Sequence, residues 1–221
     1  MRFVMLAALL AGTPAATAAN SGWRPLFNGS DLTGWRGYKG APAPTRWRVE
    51  DGVIALGIEG GKGDLVSAEE FGDFELQLDW KIAEAGNSGI FYFVREVDGA
   101  PYTFATGPEM QVLDDARHSD GKLPTHRAGA LYDLLPARVA AAKPVGEWNA
   151  VRIVVRGGRI EHWLNGRKVV ATRYGDAAWR TMVSGSKFKA MPHFAKVPRG
   201  RIALQDHGDR VWYRNIRIRT F

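Results

Sequence analysis

Phe74-Glu75-Leu76-Gln77-Leu78-Asp79-Trp80-Lys81-Ile82 is the stretch whose reading decides the fold. Its apolar residues alternate without exception with Asp73, Glu75, Gln77, Asp79 and Lys81. A period of two turns one face toward a core and the other toward water. A strand that is apolar on one side needs a second layer over it, so two packed antiparallel sheets are expected.

Outward from this strand, the chain after Trp23 breaks into short apolar runs divided by Gly, Asn, Asp and Pro, the pattern of an all-β sandwich or barrel. Residues 161–170 read as a hairpin, because Asn165-Gly166 accepts the two positive φ angles of a primed turn. Further strands are expected at Arg46 to Glu50, Gly52 to Leu56, Ile90 to Val94, Glu109 to Leu113, Ala128 to Leu134, Ala150 to Val155, Ile202 to Gln205 and Val211 to Ile218. Asp176 to Ser184 is expected as the one short helix, with Asp176 as its cap and Trp179 and Met182 facing inward. Two long irregular stretches, Glu96 to Pro108 and Asp114 to Arg127, are expected to shape a binding site.

The 221 residues are 45% hydrophobic and 11% aromatic, enough for one sizeable core, and residues 20–221 are expected to form a single domain. Residues 1–19 have a signal peptide's layout: Arg2, a short apolar run, then small residues ending at Ala18-Ala19. Gly12, Thr13 and Pro14 stop that run well short of the roughly 20 residues of a membrane span, so no stable membrane insertion is expected after cleavage. A periplasmic or secreted protein follows. There is no cysteine, which removes disulfides, thiolate nucleophiles and thiolate metal sites. The formal charge of +7 invites a nucleic-acid partner, yet the basic residues are scattered singly, so none is expected.

Strand alternation also sorts polar residues by face. Glu109 and Gln111 share one surface and Met110 and Val112 the other; Gln205 and His207 oppose Ile202 and Leu204. In the last strand Trp212, Ile216 and Ile218 mark the expected core face, which would carry Arg214 inward toward an anionic partner. Each has a plainer alternative: a solvated face for Glu109 and Gln111, a turn for His207 before Gly208, and an exposed loop for His126. No Gly-x-Ser-x-Gly elbow, His-Glu-x-x-His, phosphate loop or dinucleotide fingerprint is present.

Several segments occur in a telling order: residues 25–35 (Pro-Leu-Phe-Asn-Gly-Ser-Asp-Leu-Thr-Gly-Trp), Asn87-Ser88-Gly89-Ile90-Phe91-Tyr92, Glu109-Met110-Gln111-Val112-Leu113-Asp114, His126 followed by Gly129-Ala130-Leu131-Tyr132-Asp133-Leu134, Gly146-Glu147-Trp148-Asn149, His162-Trp163-Leu164-Asn165-Gly166, Ser186-Lys187-Phe188 and residues 203–208 (Ala-Leu-Gln-Asp-His-Gly). Together they resemble the 3-keto-disaccharide hydrolase family, also described as 3-keto-glucoside 1,2-lyases and 3-keto-2-hydroxy-glucal hydratases. The resemblance covers nearly all of the chain after Trp23 and implies a concanavalin-like jelly roll. Two departures stand out: Phe93, near which the family often has a basic residue, and Phe194-Ala195, where Phe-Gly is common.

The implied chemistry uses a ketone at C3 of a glucosyl unit to acidify the C2 proton. A base removes it, an enolate forms, the C1 substituent leaves, and water then adds. Such a site needs a base, an electrophile for the enolate oxygen and an acid for the leaving group. For that chemistry His126 or His207 is the expected base, since imidazole titrates near neutral pH, with Lys187 or a divalent cation as the electrophile and Tyr132 as a candidate acid. Glu109, His126 and His207 are the candidate ligands of such a cation. Substrate contacts are assigned to Gln111, Gln205, Asn87, Ser88, Asp114, His162 and Arg214. The rival from another class is a non-catalytic carbohydrate-binding module using Trp35, Trp148 and Trp163 as a flat platform; a basic polyanion binder is the third reading.

Overall fold

The computed structural model describes residues 22–221; the expected signal peptide lies outside the described residues. In chain order the strands are β1 (Arg24–Pro25), β2 (Trp35–Gly37), β3 (Trp47–Glu50), β4 (Val53–Leu56), β5 (Leu65–Phe71), β6 (Phe74–Ile82), β7 (Asn87–Val94), β8 (Glu109–Leu113), β9 (Asn149–Arg156), β10 (Arg159–Leu164), β11 (Arg167–Arg173), β12 (Gly200–Leu204) and β13 (Val211–Thr220). One helix, α1 (Ala177–Ser184), lies between β11 and β12, its first turn capped by the Asp176 carboxylate accepting from Trp179 N–H at 2.8 Å.

An eight-stranded sheet runs β11-β10-β9-β6-β13-β4-β3, with β1 also on β13, and faces a five-stranded sheet of order β2-β5-β12-β7-β8. Every recorded strand pair is antiparallel. The alternation in β6 is realised as read: Phe74, Leu76, Leu78, Trp80 and Ile82 are each at most 2% exposed. Each contributes about 1.5–3 kcal/mol by leaving water, which is why β6 sits centrally, between β9 and β13.

Three expectations are corrected. Residues 128–134 form turns rather than a strand, with one isolated bridge to the sheet, Met110 to Leu131, and scattered backbone bonds to β8. Gly129 and Asp133 take φ of +84° and +56°, which a strand cannot absorb. β5 was not expected: Leu65 faces the main core and Val66 a second apolar cluster, so the run has no period of two. In β13 a bulge at Asn215, φ +55°, shifts the pairing between Arg214 and Arg217. Tyr213, not Trp212, therefore faces the core together with Ile216 and Ile218. Arg214 points out, bonded to Asp79 at 3.3 Å and lying over the Trp148 ring at 4.0 Å.

The outer face of the five-stranded sheet carries the second cluster, Val66, Phe91, Val94 and Ala203, with Tyr38 and Phe104 packed on it. A bulge in β7 makes room for it: Phe93, at φ +59°, joins Tyr92 in the main core while Phe91 and Val94 face out. This apolar floor seats the 96–108 loop beside β8, and that placement builds the site.

Candidate active site

β7 and β8 form one edge of the smaller sheet, with Gly89 opposite Gln111 and Phe91 opposite Glu109. The Glu109 carboxyl lies flat across Gly89; a Cβ there would come within 2.6 Å of its Cδ and 2.8 Å of its Cγ. Glycine is needed at 89 for this close approach. Gln111 donates from Nε2 to Asn87 Oδ1 at 3.2 Å. The 128–134 segment runs along the free edge of β8, with Tyr132 N–H donating to Glu109 O at 3.0 Å and Gly129 N–H to Gln111 O at 2.8 Å.

Asn87, Phe104, Glu109, Gln111, Tyr132, Lys187, Gln205 and His207 line one pocket of about 130 Å³. Glu109, Gln111 and Gln205 each keep a buried Oε1 with no protein partner. A buried acceptor left so costs about 1–3 kcal/mol, and three around one small pocket mark it as a place for a ligand rich in hydroxyl donors.

Burial pushes the Glu109 carboxyl up to about 8, against the pull of the Lys187 charge. At neutral pH it therefore carries its proton. Lys187 Nζ sits 4.3 Å from the centre of the Tyr132 ring and 5.6 Å from that of Phe104. Tyr132 is pushed above the ordinary phenol range by burial and by the nearby Asp120 and Glu109 charges, and its hydroxyl donates to Asp120 at 3.3 Å.

His126 does not line the pocket. Its ring stacks on Tyr132 at 4.3 Å, with Nε2 3.2 Å from Asp133 and Nδ1 3.5 Å from Asp120. Asp133 also accepts from Lys187 N–H at 2.8 Å. His126 thus lies behind Tyr132 and Lys187, and of the two candidate bases only His207 reaches the pocket.

Four assigned substrate contacts lie elsewhere. His162 is fully buried in β10, bonded to Tyr92 Oη at 3.1 Å and to Gly129 O at 3.2 Å, and burial pulls its pKa down to about 4. It is a neutral core histidine. Ser88 follows Asn87 by one residue and so points the other way, donating to Gln205 O at 2.8 Å and meeting Tyr213 Oη at 2.8 Å. Asp114 caps the turn after β8 by accepting from Ala85, Ala116 and Arg117 N–H. Arg214 is on the outer face of the other sheet, carried there by the bulge described above.

Other contributors went unread in the sequence. Phe104 lies in a loop without periodicity. Asp64, buried, with its carboxyl raised by desolvation, accepts from Thr103 Oγ1 and Asp206 N–H and so ties the 96–108 loop to the end of β12. Asp206 in turn pairs with Arg46 at 3.3 Å. No pattern in the sequence marks these, because they act across strands more than 35 residues apart.

The proposed ligand set Glu109, His126 and His207 is not assembled. Among the described residues, the group able to offer three metal ligands is His118, His207 and Asp209, whose ligand atoms lie within 4.8 Å of one another. His118 Nδ1 accepts from Asp120 N–H at 3.1 Å, which leaves the proton of the neutral ring on Nε2; ligation through either nitrogen would need that bond or that proton displaced.

A wider groove of about 890 Å³ lies between Trp23 and Trp163 on the outer face of the eight-stranded sheet. Its arginines are already engaged, Arg152 with Glu75 at 2.5 Å and Arg217 with Gln77 at 2.7 Å. The aromatic platform of the binding-module reading also fails to form. Trp35 is buried with its indole N–H on Leu26 O, while Trp148 and Trp163 lie under arginines and lysines of the other sheet.

A buried carboxyl, a lysine and a histidine converge on a glutamine-lined pocket at a sheet edge of this jelly roll, and the relatives of the chain are glycoside-degrading enzymes. Residues 22–219 match the 3-keto-alpha-glucoside-1,2-lyase-like domain, and the chain belongs to that family. It is 36% identical to a 3-keto-disaccharide hydrolase of Bacteroides thetaiotaomicron over 90% of this chain and 78% of that protein. A solved structure from Parabacteroides distasonis, provisionally classed as a glycosyl hydrolase, superposes with a TM-score of 0.83 at 33% identity, covering 90% of this chain and 94% of that one. A Bacillus subtilis protein with a galectin-like fold, 15% identical with a TM-score of 0.54 over 90% of this chain and 94% of its own, shares the fold alone.

Proposed function

We propose that this chain cleaves 3-keto-glucosides by elimination followed by hydration. The observation that carries the reading is Glu109, a buried acid protonated near neutrality, in one pocket with Lys187 and His207. His207 takes the C2 proton, and the C2–H electrons move into a C2–C3 enolate whose oxygen is stabilised by the Lys187 ammonium. The enolate then reforms the C3 ketone and expels the C1 substituent, which takes the Glu109 proton, leaving a C1–C2 double bond. The Glu109 carboxylate so formed is the natural base for water adding at C1, while His207, its proton exchanged with solvent in the meantime, protonates C2. The balance is hydrolysis to a 3-keto sugar and the free aglycone. Gln111, Gln205 and Asn87 hold ring hydroxyls, and no pair of carboxylates at glycosidase spacing is required. The leader-like residues 1–19 support action outside the cytoplasm.

The test is turnover of a 3-keto-glucoside in D₂O against an enzyme-free control. Deuterium at C2 of the product is expected, and product without it rules out the elimination route. His207→Gln and Lys187→Met should each lower turnover by about 100-fold or more with the fold retained. A chelator arm followed by added Mn²⁺ reports whether a cation at His118, His207 and Asp209 takes part.

A further inference from the structure

Beside the reactive pocket lies a second hollow of about 260 Å³, walled by Pro101, Tyr102 and Phe104 on one side and Met191, Pro192 and His193 on the other. Phe104 lines both hollows, and the short 3-10 turn Lys187–Ala190 carries Lys187 into the first and Ala190 into the second. The two hollows therefore adjoin, with Phe104 and the 187–190 turn between them. Together they reach the lower end of the roughly 300–1,000 Å³ of small-molecule sites, which neither reaches alone.

The walls are built to persist. Thr103 Oγ1 donates to Asp64, Tyr38 Oη donates to Ala100 O at 3.0 Å, and Ala195 N–H bridges the two walls by donating to Thr106 O at 2.8 Å. Phe188 and Phe194 stack at 3.9 Å beneath the Met191 side. On this footing Tyr102 is stacked flat on Phe104, centroids 5.0 Å apart at 13°, yet remains 58% exposed. An aromatic that exposed, on a pinned loop, has a face to offer.

We propose that the second hollow is the aglycone subsite and that it takes a leaving group with a flat aromatic face, making aryl 3-keto-glucosides the preferred substrates. The inference rests on the elimination reading, in which the C1 substituent must leave the reactive pocket, and Phe104 marks the side on which there is room. Aromatic and proline rings, Met191 and backbone make up most of the wall; the Tyr102 hydroxyl and the His193 ring are its polar side-chain groups. A second sugar can lay a C–H face on Tyr102, but the Tyr102 hydroxyl and the His193 ring are the side-chain groups there to receive its hydroxyls, whereas an aryl ring both stacks on Tyr102 and packs against Met191 with no polar group to satisfy.

Kinetics of wild type, Tyr102→Ala and Met191→Ala on phenyl, glucosyl and methyl 3-keto-glucosides test this. Comparing variants on one substrate cancels leaving-group acidity. Each substitution should raise KM for the phenyl substrate about three- to tenfold with kcat little changed, the worth of one aromatic or thioether contact, and leave the methyl substrate unaffected. An unchanged phenyl KM in both variants overturns the subsite; a loss confined to the glucosyl substrate reassigns it to a second sugar. Binding of unoxidised phenyl and methyl glucosides by calorimetry separates this failure from failure of the reaction. A protein without turnover that still binds phenyl over methyl glucoside, through Tyr102, keeps the subsite and loses the mechanism.

Discussion

Glu109→Gln changes one atom of the side chain and keeps its shape, so it isolates the proton. The wild-type carboxyl, ordinarily near 4.5, is held at about 8 by burial. Ionising it in the fold therefore costs at most about 4 to 5 kcal/mol more than in water, at roughly 1.4 kcal/mol per pH unit. Its folded pKa lies above its unfolded one, so its contribution to stability is complete below pH 4.5 and is lost as pH rises through about 8. Urea unfolding of the wild type should show the midpoint falling between pH 5 and 9, and the glutamine variant should fall less. In the same variant kcat on a 3-keto-glucoside should drop by about 100-fold or more, and the decline of wild-type activity above about pH 8 should vanish from what remains. Equal pH dependence of stability in the two proteins would refute the buried-acid argument; unaltered kcat would refute its role in proton transfer.

Gly89→Ala should disable the site from beneath, since the new Cβ collides with the Glu109 side chain. A displacement of about 1 Å is worth roughly 100-fold in turnover, measured with circular dichroism to show the sheet intact; a fully active variant would mean that the carboxyl position is not critical. Ala195 is held at φ +46°, a region that disfavours any side chain. Ala195→Gly should stabilise the fold by about 1 kcal/mol, raising Tm by about 2–4 °C, and a lowered Tm would show the methyl's packing to outweigh the strain.

The sequence by itself determined the layers. Strict alternation over Phe74–Ile82 and the Asn165-Gly166 turn are local signals, and both appear where they were read. Alternation also placed Glu109 with Gln111 on one face, because no bulge interrupts β8. It failed where parity breaks: one extra residue at Asn215 sent Arg214 to the wrong sheet face. Short motifs misled too. In Asn87-Ser88 one residue faces the pocket and the next the core, and His162 is absorbed between the sheets with both ring nitrogens bonded. Only the tertiary structure could decide the state of Glu109 and the chamber beyond Phe104. The first depends on how much water the neighbouring loops exclude, and the second on two loops about 90 residues apart being pinned together by the Ala195 to Thr106 bond. Burial and long-range closure leave no periodicity in the chain, so a sequence carries the residues but not their surroundings.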